Sequence, residues 1–160
     1  QADKNPNRRG VEFVFAADAE FENFYKLVER MEAGEIRVLH MMNKEIQTLS
    51  GVFNGAKVIS VTHLGESLPA GTKEYLPQFP FFSIETGPGG ATVSLLEKGR
   101  NRYLVMVNRS VTETLDAIVI IDPSAGVKRV LKDGKMRSFA TVTRNETIEP
   151  GDVIIYSWLD

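Results

Sequence analysis

The sequence contains no cysteine, which removes disulfides, thiolate metal sites and thiol catalysis from consideration. That absence is silent about compartment, because many exported proteins hold together without disulfides. Charge of one sign is lacking too. Nineteen lysines and arginines face twenty-one acids, for a formal net charge of -2, so no basic field exists to hold a phosphate backbone and nucleic acid is not an expected partner. No apolar run approaches the roughly twenty residues that a membrane-spanning helix needs. There are only two histidines, His40 and His63, and neither sits in a His-x-x-x-His or His-x-His spacing, so no metal site is expected. A Gly-x-Ser-x-Gly nucleophile elbow is missing, and so are internal repeats and low-complexity tracts. The chain opens on Gln1-Ala-Asp-Lys without an initiator methionine or signal peptide. It therefore reads as a processed or excised piece of something longer.

What is present is organised around Arg102-Tyr-Leu-Val-Met-Val-Asn-Arg-Ser110. In an extended strand Tyr103, Val105 and Val107 share one face, with Leu104 and Met106 on the other. A strand apolar on both sides belongs in the middle of a packed structure. The polar Asn108-Arg-Ser110 that follows is turn chemistry. A chain of 160 residues buries roughly two thirds of its unfolded surface, enough for a real core in one domain.

Residues 1–10 are polar and carry Pro6, as a linker or frayed end would. Residues 11–55 read as a helical segment after a short apolar run at 11–15. From Asp18, a plausible N-cap, Phe21, Phe24, Leu27, Val28 and Met31 recur at helical spacing up to Gly34. A second stretch from 35 to 50 stacks Ile36, Leu39, Met42, Ile46 and Leu49 on one side, with Gly51 as its stop. The two read either as a helical pair or as one helix broken at Gly34.

From residue 56 to 160 the texture is β. Strands are expected over residues 56–62, 81–85, 91–97, 102–107, 115–121, 127–131, 137–143 and 153–159. Turn signals separate them: Gly87-Pro-Gly-Gly90, taken as a hairpin, then Lys98-Gly-Arg-Asn101, Asp122-Pro-Ser-Ala-Gly126, Asp133-Gly134 and Glu149-Pro-Gly-Asp152. The expected fold class is mainly β with N-terminal helices (α+β): an antiparallel β-sandwich of about seven to eight strands preceded by one or two amphipathic helices. A long connection over residues 65–82, with Pro69, Pro77 and Pro80, is either functional or wrapped against the sheet.

Catalytic candidates are scarce. Glu12, Asp18, Glu20 and Glu22 suit the first turn of a helix, and Asp122, Asp133 and Asp152 suit turns. His40 and His63 read as structural residues, and Gly87-Pro-Gly-Gly90 lacks the lysine of a phosphate loop. Asn108 and Asn145 match glycosylation sequons by pattern alone. Aromatic rings that could stack on a sugar are Tyr75, Phe79, Phe81 and Trp158. Docking of the proline-rich connection is the competing use of the first three, and a strand face shared with Ile154 and Tyr156 that of Trp158.

Three segments carry a family resemblance. Met42-Asn-Lys-Glu-Ile-Gln-Thr-Leu49 leads through Gly51-Val-Phe53 into Val58-Ile-Ser-Val-Thr-His63. Arg102-Tyr-Leu-Val-Met-Val-Asn108 and Ile148-Glu-Pro-Gly-Asp-Val-Ile-Ile-Tyr156 follow. Together, over roughly residues 35–160, they resemble the C-terminal helix and all-β accessory domain of a bacterial TIM-barrel glycoside hydrolase. The resemblance implies that catalytic residues lie in a barrel this chain lacks, so none is assigned here and no cofactor is expected. It implies that the partner is the missing N-terminal catalytic domain of the same protein, with glycan a second candidate, and that the protein is periplasmic or secreted. Two other readings stand beside it: an independent carbohydrate-binding module, or a small enzyme whose carboxylates face each other roughly 5–10 Å apart.

Overall fold

A computed structural model describes residues 33–139 and 141–160. The expected linker at 1–10, the apolar run at 11–15 and the helix from Asp18 lie outside these residues. By contact density the chain divides into a unit of residues 1–44 and a larger unit of residues 45–160. The described elements are one helix, α1 (Ala33–Phe53), and nine strands: β1 (Lys57–Gly65), β2 (Phe81–Thr86), β3 (Gly90–Lys98), β4 (Asn101–Asn108), β5 (Leu115–Ile121), β6 (Lys128–Val130), β7 (Met136–Ser138), β8 (Thr143–Ile148) and β9 (Val153–Leu159).

Every named strand pairing is antiparallel. A six-stranded sheet runs β1-β3-β4-β9-β6-β7, and a three-stranded sheet runs β2-β5-β8. The strand apolar on both faces is central, as its composition demands. Leu104 and Met106 of β4 join Val93, Ile154, Tyr156 and Trp158 in a cluster completed by Phe81, Leu115, Val119, Ile121 and Ile148 of the smaller sheet. Tyr103 and Val105 point the other way, into a second cluster with Leu96, Val130, Ile155 and two residues of the helix, Leu49 and Val52. The larger sheet is thus greasy on both sides, with the small sheet on one and the end of α1 on the other.

The helix overruns Gly51, its expected stop, because Val52 still has an apolar seat. It ends instead at Phe53, followed by Gly55 at φ +74°, a left-handed conformation glycine adopts freely. Two lysines strap this end down: Lys98 Nζ donates to the Gly51 carbonyl at 2.6 Å, and Lys132 Nζ lies 2.8 Å from Asp152 Oδ1 and 3.6 Å from Glu45 Oε1.

Two further expectations need correcting. Gly87-Pro-Gly-Gly90 is not a hairpin: β2 pairs with β5 while β3 pairs with β1 and β4, so the turn carries the chain from one sheet to the other. The crossing is tight. A Cβ at Gly90 would run into the Arg109 guanidinium and the Leu64 carbonyl, and Arg109 Nη2 uses that space to donate to Leu64 and Ser67 carbonyls at 3.2 and 2.8 Å. The single strand expected over residues 137–143 is two strands, β7 and β8, in different sheets. Thr-Arg-Asn-Glu-Thr shows too little apolar alternation to announce β8. What holds it is its ladder to β5, in which Leu115 lies opposite Ile148 and Ile120 opposite Thr143.

Asn108 ends β4 inside the protein, 2% exposed. Its Nδ2 donates to the carbonyls of Glu113, Ile148 and Glu149 at 2.8, 3.1 and 3.2 Å, and its Oδ1 accepts from the Ser110 amide at 2.9 Å. One side chain therefore ties the end of the central strand to the loop leading into β5 and to the β8–β9 connection. It is a structural amide, with no free edge for a glycan.

Asn108→Ala strips these bonds from a buried site, so it should cost about 2–3 kcal/mol in urea denaturation. Asn108→Asp keeps the acceptor for Ser110 but sets an oxygen against three carbonyls, and should cost at least as much. Losses under about 0.5 kcal/mol for both would show that the knot is dispensable.

Candidate functional site

The four aromatic candidates separate sharply. Phe81 and Trp158 meet edge-to-face with ring centroids 5.4 Å apart, Phe81 also tilts against Tyr156 at 5.5 Å, and Tyr75 belongs to the same buried cluster. None of these three presents a face to a sugar. Tyr75 instead anchors the long connection. The backbone of His63 accepts from the Tyr75 amide and donates to the Lys73 carbonyl, both at 2.8 Å, so the segment lies beside the end of β1 and drops its tyrosine into the core. Phe79 alone of the four is open, 63% exposed, and Leu76 and Phe82 are exposed near it in sequence.

Most acids with described partners serve the backbone or a cation. Asp122 Oδ1 accepts from the Ser124 hydroxyl and amide at 2.7 and 2.8 Å, and these bonds hold its carboxyl below the usual range. Asp133 Oδ1 accepts from the Lys135 amide at 3.0 Å and is lowered by that lysine's backbone and side chain. Arg102 is gripped between Asp160 and Glu97. His63 lies 3.4 Å from the Thr92 hydroxyl through Nδ1, a strand-to-strand contact.

Between the sheets, where β8 faces β6 and β9, sits a charged cluster. Tyr156 donates its hydroxyl to Glu146 Oε1 at 2.7 Å. Arg144 and Arg129 flank the same carboxylate at 3.7 and 4.0 Å, stacking at 4.9 Å over Phe139 and 5.6 Å over Tyr156. Burial lowers the Arg129 guanidinium and pushes the Tyr156 phenol far above its ordinary range. The cluster locks one end of the inter-sheet space and leaves no open carboxylate for chemistry.

Two surfaces remain. One is apolar: Ile46, Phe53, Val58 and Val61 are 60, 42, 57 and 50% exposed, beside the part of α1 that is seated and along β1, the outermost of the described strands of the larger sheet. In the smaller unit, Val38, Leu39, Met41 and Met42 are exposed as well. The other is an open cavity of about 520 Å³ on the small sheet, lined by Glu85, Asp116, Ile118, Asn145 and Thr147 among others. Two further hollows are near 140 and 110 Å³, well below the roughly 300–1,000 Å³ of ordinary ligand sites. The cavity residues come from strands some thirty residues apart, so only the β2-β5-β8 pairing assembles them. The one hint in sequence is the acid–apolar alternation of Asp116-Ala-Ile118.

No protein-family model, no curated protein and no solved structure matches this chain. Among the described residues, no helix is long and apolar enough to cross a membrane.

Burial holds the proton on two phenols, with Tyr75 pushed up to about 12 and Tyr156 higher, whereas an unfolded tyrosine titrates near about 10. Above that pH the unfolded chain sheds protons that the folded one keeps. The contribution is therefore complete below about pH 10 and lost as pH rises toward about 12. Urea midpoints should fall across that alkaline window, and Tyr75→Phe should lessen the fall.

Proposed function

We propose that this chain is the C-terminal accessory β-sandwich domain of an extracytoplasmic carbohydrate-active enzyme, a glycoside hydrolase, and that it supports the catalytic barrel without itself performing chemistry. The observation that carries the reading is the incompletely seated helix. Leu49 and Val52 of α1 are buried against the larger sheet, yet Ile46, one turn before Leu49 on the same stripe, is 60% exposed. With Phe53, Val58 and Val61 it forms an apolar surface of the kind that marks a protein–protein contact. Support also comes from the idle interior. The space between the sheets is filled by aliphatic and aromatic side chains, and the Glu146 carboxylate is consumed by Tyr156 and two arginines.

On this reading the two sheets are a sandwich whose outer side continues into the neighbouring domain, and the apolar stripe of α1 is the seam. The coding sequence ahead of Gln1 tests it directly: a TIM barrel with glycosidase activity is expected, and its absence overturns the proposal. The seam has its own test. Ile46→Asp should change the stability of this chain by less than about 0.5 kcal/mol, since Ile46 is exposed here. In the full-length parent it should cost about 2 kcal/mol of thermal stability, because an aliphatic side chain buried at the seam becomes a carboxylate.

A further inference from the structure

The open cavity on the small sheet is outside the seam and outside the core. Its floor is set by strand register. Glu85 of β2 lies opposite Ile118 of β5, which lies opposite Asn145 of β8, so carboxylate, aliphatic side chain and amide stand in one row across three strands. Neighbouring strands are about 4.8 Å apart, and a ring resting on Ile118 has the carboxylate on one side and the amide on the other. The next row adds Asp116 opposite Thr147. The Thr147 hydroxyl donates to Asp116 Oδ1 at 2.8 Å, orienting that carboxylate and leaving Oδ2 free to accept among the described residues. Glu146, which also borders the cavity, turns its carboxylate to the Tyr156 hydroxyl.

We infer that this face is a binding site for a neutral saccharide, resting on the reading of the chain as part of a carbohydrate-active enzyme. The chemistry selects the ligand class. Two carboxylates offer acceptors only, and an amide offers both donor and acceptor, which suits adjacent hydroxyls that donate and accept. Ile118, 44% exposed, gives the C–H side of a ring an apolar surface. Among the described residues no lysine or arginine borders the cavity, so an anionic ligand is disfavoured. No group of three acids or histidines able to hold a metal ion exists among the described residues. A volume of about 520 Å³ falls within the roughly 300–1,000 Å³ of small-molecule sites.

The test is titration of this chain with linear neutral oligosaccharides of the α-glucan, β-glucan, xylan and mannan series, followed by calorimetry and backbone NMR, with calcium alone as a separate arm. At least one series should bind saturably and shift the amide resonances of Ala117, Ile118 and Asn145. Glu85→Gln and Asn145→Ala should each weaken that binding about tenfold or more while leaving the far-ultraviolet circular dichroism unchanged. Silence from every oligosaccharide, binding of calcium only, or binding that maps to Phe79 and ignores both substitutions would each overturn the site. None of those results touches the seam, which stands or falls on the upstream coding sequence and on Ile46→Asp in the parent protein.

Discussion

Everything in the larger unit depends on β4 being enclosed from both sides. Leu104 and Met106 can be dry only if a second sheet lies over them, and Tyr103 and Val105 only if something covers the opposite face. The first demand is met by β2, β5 and β8. The second is met by the last turns of α1, with Leu49 and Val52 as its two contacts. Removing either cover exposes a strand with no polar face to offer water, so the helix end and the small sheet are equally necessary to it.

The enclosure also explains the investment in polar fastening at the ends of β4. At one end Asn108 collects three carbonyls from two separate connections. At the other, Arg102 is shared by Asp160 and Glu97, tying β4 to its neighbours on either side. Connections that cross between layers cannot close their own hydrogen bonds as hairpins do, and a side chain has to complete them. Beside the Gly87–Gly90 crossing, Arg109 does the same for the Leu64 and Ser67 carbonyls, where the chain leaves β1.

The main lines of this arrangement were legible from residues alone wherever hydrophobic period and turn chemistry agreed. β4, β5 and β9 stand where alternation put them, and Gly99-Arg100 closes the β3–β4 hairpin between Lys98 and Asn101. Legibility failed where pairing partners, not local pattern, decide. β8 is polar by composition and is a strand because β5 lies beside it. Gly87-Pro-Gly-Gly90 has hairpin residues, but local residues cannot say to which sheet the next strand goes. Aromatic content was a poor guide to surface: Phe81 and Phe82 are adjacent and alike, yet one is 1% exposed and the other 55%, because successive residues of a strand point to opposite faces. The cavity row of Glu85, Ile118 and Asn145 was hidden for the same reason as β8, since it exists only across three strands.

The position of β1 has one more consequence. Among the described residues it pairs with β3 on one side, and on the other only its far end is bridged, at His63 and Glu74. Along the rest, the outward-facing peptide groups form a ready template onto which an extended segment of another polypeptide could zip, with Val58 and Val61 to reward it. The irregularity in its register between Val58 and Ser60 breaks the regular spacing such an intruder would need. Bulges of this kind are one of the devices by which edge strands resist edge-to-edge pairing.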